Sequence, residues 1–345
     1  KNTVVILYRI KNQNAESKLT LAPVMNFRDF HSINHEHQFK ATQTHFNNKL
    51  KVILDDNSST PIYMTCSDGK YLKHIDDSFN NMYYLREEER GFEAEENHYI
   101  PGVYNINLDP NEEKDITFVC SLEENIEEID GVNVINKELT RLSGIIYDTG
   151  ILQNSKMNNK NLGIIKTLIM ATDNFIVKRP SFGLHTIIAG YPWFLDWGRD
   201  TLISFEGLLL ITKRYDIAKE VLLTNIRDMK FGLVPNGYSG YDNRPLYNSA
   251  DSSLLLIEQV YKYLKYTNDY DFVKEKIYPS LVKIIEAYSG KIDVDGDNIY
   301  LDNDNLISAG TENTQITWMD VKIDGHAVTP RNGKTVELNA LWYNA

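Results

Sequence analysis

Positive charge is in short supply: 36 lysines and arginines stand against 48 aspartates and glutamates, a formal net charge of -12 over 345 residues. Nucleic acids and anionic membranes need a basic face, so this balance argues against both as partners and favours a neutral substrate. Cysteine is nearly absent. The two present, Cys66 and Cys120, form no disulfide framework, and a reducing compartment, the cytoplasm, is expected. No apolar run of about 18 residues occurs, so no membrane-spanning helix is expected. The eight histidines show no metal-ligand spacing, and His31, His35 and His37 fall where solvent-facing histidines are the default. There is no glycine-rich phosphate loop and no serine in a nucleophile-elbow setting, so no metal or other cofactor is expected. The chain starts at Lys1 without methionine or leader, and its natural amino terminus is expected to lie upstream.

What is present falls into two halves. Residues 1–122 carry short apolar or alternating runs, among them Thr3-Val-Val-Ile-Leu-Tyr8, Lys51-Val-Ile-Leu54, Ile62-Tyr-Met-Thr65 and Ile116-Thr-Phe-Val119. Polar turn clusters such as 55–60 and 109–112 separate them, which predicts a β-sandwich domain. The aromatic and charged stretch 83–92 reads as a solvated loop, or else as a sandwich edge facing a neighbouring domain. Residues 123–160 read as a linker with a short helix at 136–148 and an unpatterned polar run at 153–161. From 161 to 345 the apolar period becomes helical, with helices expected at 162–178, 199–213, 215–230, 251–267, 270–288 and from about 335. In the fifth, Val273, Ile277, Leu281, Ile284 and Tyr288 share a face, and Pro279 must kink the helix or begin a new turn. Helix pairs joined alternately by tight and long loops point to an α/α toroid. About six helices are half of what six hairpins hold, so 161–345 is expected to be the first half of an (α/α)6 toroid whose remainder lies beyond Ala345.

The long loops carry the chemistry. Residues 189–200 crowd together Trp193, Asp196, Trp197, Arg199 and Asp200. Indole faces stack on the CH faces of a sugar ring, and fixed carboxylates and a guanidinium bridge vicinal hydroxyls, although buried core tryptophans at a helix start give the same pattern. Asn236 and Asp251 are placed to reach sugar hydroxyls, while Asn248, Ser249 and Asp251 equally suit helix caps. Asp293, Asp295 and Asp297 invite a calcium-loop reading, but Asn298 stands where an EF-hand has glycine and Asp304 where it has glutamate, and a polar hairpin fits better. Asp320 follows Trp318 by two residues. An acid desolvated against indole has a raised pKa, as a general acid requires. Glu312 and Glu337 are further acids a bowl-shaped site could use.

The ordered motifs Phe194-Leu-Asp-Trp-Gly-Arg-Asp-Thr201, Gly232-Leu-Val-Pro-Asn236, Tyr247-Asn-Ser-Ala-Asp251, Gln315-Ile-Thr-Trp-Met-Asp320 and 329–345 resemble the amylo-α-1,6-glucosidase domain of glycogen debranching enzymes, in the prokaryotic form with an amino-terminal β-sandwich. Phe27-Arg-Asp-Phe-His31, the 83–91 stretch and Pro101-Gly102 extend the resemblance into the first half. It implies hydrolysis of single α-1,6-linked glucose residues from glycogen, limit dextrin or branched malto-oligosaccharide, with inversion. It makes Asp320 the general acid, lets Arg199 and Asp200 grip the glucose, and has Trp193, Trp197 and Trp318 wall the pocket. The family's general base would lie past position 345, with Glu337 only lining the site. The chain alone is therefore expected to be catalytically incompetent, with apolar helix surface exposed. Two other readings remain: another toroid glucosidase or phosphorylase, and a non-catalytic glucan-binding protein. Oligomeric state, branch-length preference and any transferase activity leave no mark in the sequence.

Overall fold

The computed structural model describes residues 2–29, 32–35, 39–46, 48–54, 60–126, 129–153, 158–192, 194–240, 242–294 and 296–345. Trp193, His31, His37, Asp295 and most of the 55–60 turn cluster, all named above, lie outside the described residues. The chain divides into two compact units, Lys1–Arg141 and Leu142–Ala345.

The first unit is built of β1 (Thr3–Lys11), β2 (Ser17–Leu21), β3 (Ala41–Phe46), β4 (Lys49–Leu54), β5 (Ile62–Cys66), β6 (Lys70–Tyr83), the short helix α1 (Leu85–Glu89), β7 (Glu95–Leu108) and β8 (Glu113–Ser121). The strands form two antiparallel sheets, ordered β1-β8-β5-β4-β3 and β2-β7-β6. Period-2 patterning sets which face is inside: in β4, Leu50, Val52 and Leu54 are buried while the residues between them are not. They join Met64 and Cys66 of the same sheet and Tyr71, Tyr104, Ile106 and Leu108 of the other in one core shared by the two sheets. Each fully buried aliphatic chain contributes about 1.5–3 kcal/mol. Both cysteines are free, and burial pushes both thiols above their ordinary pKa.

The 83–92 stretch differs from the expected loop. Its centre is α1, where Arg86 pairs with Glu89 and Arg90 with Glu87 three residues apart, a spacing that puts opposite charges on one helix face. Beside it, two stretches meet on Glu96, whose side chain is fully buried. Arg28 donates to it from Nε at 2.5 Å and Nη2 at 2.9 Å, the Tyr84 hydroxyl at 2.7 Å and the Asn34 amide at 3.1 Å. Burial by itself would raise the Glu96 pKa, but these donors outweigh it and the net shift is downward. A lowered folded-state pKa adds stability above the unfolded value and loses it as pH falls through the folded one. Glu96→Gln should therefore destabilise the chain at pH 7 and approach the parent's stability near pH 3. Urea unfolding at both pH values checks this, and a pH-independent difference would rule the ion pair out as its source.

In the second unit α2 (Gly131–Asp148), in which the division between the units falls, starts earlier than the expected 136. It is followed by α3 (Asn159–Asp173), α4 (Gly198–Phe205), α5 (Tyr215–Arg227), α6 (Ser252–Thr267), α7 (Tyr270–Phe272), α8 (Tyr278–Tyr288) and α9 (Val336–Asn344). α3 stops five residues short of the expected 178, because β-branched Ile176 and Val177 turn the chain into a two-stranded ribbon with 185–187. α4 continues as a π-turn over Glu206–Leu210. Another π-turn, Val273–Ile277, separates α7 from α8, and Pro279 sits in the first turn of α8, so it opens a new helical run. The face foreseen for this run is buried: Val273, Ile277, Ile284 and Tyr288 enter the core and Leu281 packs against it, together with Leu202, Phe205, Val221, Leu256 and Val260. The 291–301 segment is the expected hairpin, extended by Ile307–Ser308. Apolar side chains also remain outside, among them Val336 at 81% and Tyr343 at 91% exposure. No helix among the described residues is long and apolar enough to cross a membrane.

Candidate active site

The start of α4 is held by backbone. Gly198 N donates to the carbonyl of Asn236 at 2.5 Å, and a Cβ at Gly198 would stand 2.5 Å from the Pro235 carbonyl oxygen. Only glycine permits this approach. It leaves the next residue, Arg199, buried and pointed into the site.

The Arg199 guanidinium organises three loops. Its Nε and Nη2 donate to Asp251 at 2.7 and 3.0 Å, and its Nη1 donates to Asp320 Oδ2 at 2.8 Å. Ser249 Oγ donates to Asp251 Oδ1 at 2.5 Å, and Ala250 N donates to the Ile316 carbonyl at 2.8 Å, tying the Asp251 loop to the segment that leads to Asp320. Asp251 occupies the N-cap position of α6 but makes no capping bond. Its carboxylate goes to Arg199, so the cap reading does not hold for this side chain. Burial by itself would lower the Arg199 pKa, yet Asp251 and Asp320 outweigh it and the net shift is upward. The pKa of Asp200, in the first turn of α4, is raised, first by desolvation and then by the charges of Asp320 and Asp251, against the pull of a backbone hydrogen bond and of Arg199. Its outer edge is nonetheless open to solvent. Arg199, Asp200, Asp251 and Asp320 thus form one electrostatic cluster with three carboxylates for one cation.

Other expected contacts are placed differently. Asn236 is fully buried beneath the cluster, its Oδ1 accepting weakly from Arg199 N at 3.4 Å and Ser252 Oγ at 3.5 Å. It shapes the site from behind and offers no face to solvent. Asp196 is also buried and takes a bidentate pair from Arg179 at 2.7 and 2.5 Å, with the guanidinium 5.0 Å from the Tyr238 ring centroid. Trp197 is half-buried and packs on Gly237. Trp318, expected to cover Asp320, is 53% exposed with its ring 5.6 Å from the Arg331 guanidinium, and Asp320 accepts from Arg199. Glu337 is engaged by Arg331 at 2.6 and 2.7 Å, and Glu312 is exposed on a turn. Three contributors escaped the sequence reading: Arg179, the bridging role of Ser249, and Arg331. The one available signal was that a buried Asp196 needs a cation. Among the described residues no group of three or more His, Cys, Asp or Glu side chains is arranged to hold a metal ion.

Comparison with known proteins shows the family. Residues 170–345 match the family described as amylo-alpha-1,6-glucosidase, and residues 1–115 the family described as glycogen debranching enzyme N terminal. The glycogen debranching enzyme of Saccharomyces cerevisiae is 26% identical over 271 residues, 59% of this chain and 17% of that protein; the chain thus spans under a fifth of that relative's length. A solved structure described as a kojibiose phosphorylase from the human microbiome overlays 94% of this chain and 44% of its own at 11% identity and a TM-score of 0.42, a likeness too distant to carry an argument. The amylo-alpha-1,6-glucosidase match covers more than half of the sequence, and the chain belongs to that glycogen debranching enzyme family.

Proposed function

We propose that this chain supplies the glucose grip and the general acid of an inverting α-1,6-glucosidase acting on glycogen, limit dextrin or branched malto-oligosaccharide, with residues 1–122 as a β-sandwich domain and 161–345 as the first half of an (α/α)6 toroid. The observation that carries the reading is the single Arg199 guanidinium bonded to both Asp251 and Asp320. Asp251 fixes the fork of Arg199, so a terminal glucose meets a preorganised donor and its hydroxyls bridge Arg199 and Asp200. Asp320 Oδ2 is held by Arg199, and Oδ1 is the oxygen left to give its proton to the glycosidic oxygen as the bond to C1 breaks. Inversion requires a second carboxylate about 6.5–9.5 Å away across the ring to activate water, and no residue of this chain is assigned that role. Trp318 and Trp197 supply apolar faces at the rim.

The test uses the natural polypeptide that carries this sequence, with a branched limit dextrin as substrate. Glucose should appear first as the β-anomer by NMR. Asp320→Asn should lower kcat by about 10²–10⁴-fold, the usual contribution of a general acid, while glucose affinity changes little. Undiminished glucose release by the variant would remove Asp320 from the role.

A further inference from the structure

A cleft of about 1040 Å³ opens beside the Arg199 cluster and includes none of its four members among its lining residues. Two shared segments connect them: Asn248 lines the cleft one residue before Ser249, and Gln315 lines it on the strand of chain leading to Asp320. The cleft has two kinds of recognition group. Asn248, Asn313 and Gln315 supply amides, and the buried Asn248 Oδ1 has no hydrogen-bond partner within the protein. Paired donors and acceptors of this kind match sugar hydroxyls. The second kind is cationic. Lys230, Arg244 and Lys322 also line the cleft, against Asp297 as the one acid among the described lining residues, in a chain whose net charge is -12.

Both lysines touch lining residues. Lys230 Nζ lies 5.9 Å from the ring centroid of Tyr247, another lining residue. Lys322 Nζ donates to the Asn313 carbonyl at 3.2 Å. Arg244 has Asp242 as an acidic neighbour, whereas no described carboxylate is ion-paired with either lysine. The balance is the reverse of that at Arg199, where three carboxylates answer one cation: the described lining of the cleft carries three cations and one acid, an excess that hydroxyls alone do not neutralise. A phosphate ester on a sugar uses both kinds of group at once, its oxygens taking charge-assisted bonds from the lysines.

We propose that this cleft is a second binding site, separate from the site of hydrolysis, for a glucosyl unit bearing a phosphate monoester. The source is a free hexose phosphate or a phosphorylated glucan. The glucosyl part rests on the glucan reading above; the phosphate part does not.

Calorimetric titration of the chain tests it, with glucose 6-phosphate, glucose, inorganic phosphate and phosphorylated maltodextrin as probes. Glucose 6-phosphate should bind at least tenfold more tightly than glucose or inorganic phosphate, and more weakly as salt rises. The double variant Lys230→Ala, Lys322→Ala should weaken it at least tenfold without moving the unfolding midpoint, since both side chains are exposed. The single charge reversal Lys322→Glu should act in the same direction. Tighter binding of phosphorylated maltodextrin than of glucose 6-phosphate supports a glucan as the source, and the reverse order supports a free hexose phosphate. Equal affinity for glucose and glucose 6-phosphate, or no effect of the lysine variants, overturns the assignment. Inorganic phosphate binding as tightly as glucose 6-phosphate overturns the glucosyl part. The lysine variants should leave hydrolysis of unphosphorylated limit dextrin by the natural polypeptide within twofold of the parent; absence of any hydrolysis would count against the glucosidase reading while the titrations still decide the cleft.

Discussion

Arg199→Met is expected to lower stability by about 3–5 kcal/mol at neutral pH and to abolish glucose binding. Removing one partner of a buried ion pair leaves the other charged in a poor solvent, and that is the costly case. Here two partners are stranded: the Asp251 side chain, 7% exposed, and Asp320, 33% exposed. Ser249 Oγ still donates to Asp251, but one neutral bond does not offset a lost bidentate cation. Arg199→Lys keeps the charge but not the fork, so it should fall between the two. Urea unfolding at pH 7 measures all three proteins. A loss below about 1 kcal/mol for Arg199→Met, the range of an exposed pair, would mean that the guanidinium does not organise the site.

Gly198→Ala should be nearly as damaging to activity although it adds one methyl group. The new Cβ would meet the Pro235 carbonyl oxygen at 2.5 Å and the Asn236 Cα at 3.3 Å. Both are backbone, so no side chain can rotate away, and overpacking of this kind costs about 1–3 kcal/mol. The displacement passes directly to Arg199, and a shift of about 1 Å in a positioned group reduces rate by about 10²-fold. Gly207→Ala is the control. Its Cβ would meet nothing within 4 Å, and within a helical run alanine is favoured over glycine by about 1 kcal/mol. With the natural polypeptide on limit dextrin, kcat/KM should drop sharply for the first variant and stay at the parent value for the second. Equal rates for Gly198→Ala and parent would show that the α4 start tolerates displacement.

Elements were legible wherever one face is apolar. The run Lys51–Leu54 predicts a strand and the helical spacing from Val273 to Tyr288 predicts which residues of that run are buried, because amphipathic period is a local property. Boundaries were less so: α3 ends where Ile176 and Val177 find a strand partner at 185–187, a tertiary event. The 83–92 stretch is largely exposed, as its charge predicts, but its centre is helical and not a loop, because the three-residue spacing of its ion pairs supports a helical turn.

The residues of the site were visible by type and motif: Arg199, Asp200, Asp251 and Asp320 are all in stretches whose composition already indicated sugar chemistry. Their division of labour was not. Asp196 and Asp251 look alike in sequence, each an acid beside a helix start, yet one is held by Arg179 seventeen residues away and the other by Arg199 fifty-two residues away. Asp320 meets Arg199 across a separation of 121 residues. By itself the sequence determined the period of each element, the family and the chemical kinds of group available. Tertiary structure alone decided which cation each carboxylate meets and which lysines share a cleft, because ion pairs and clefts form between chain segments whose approach no local pattern encodes.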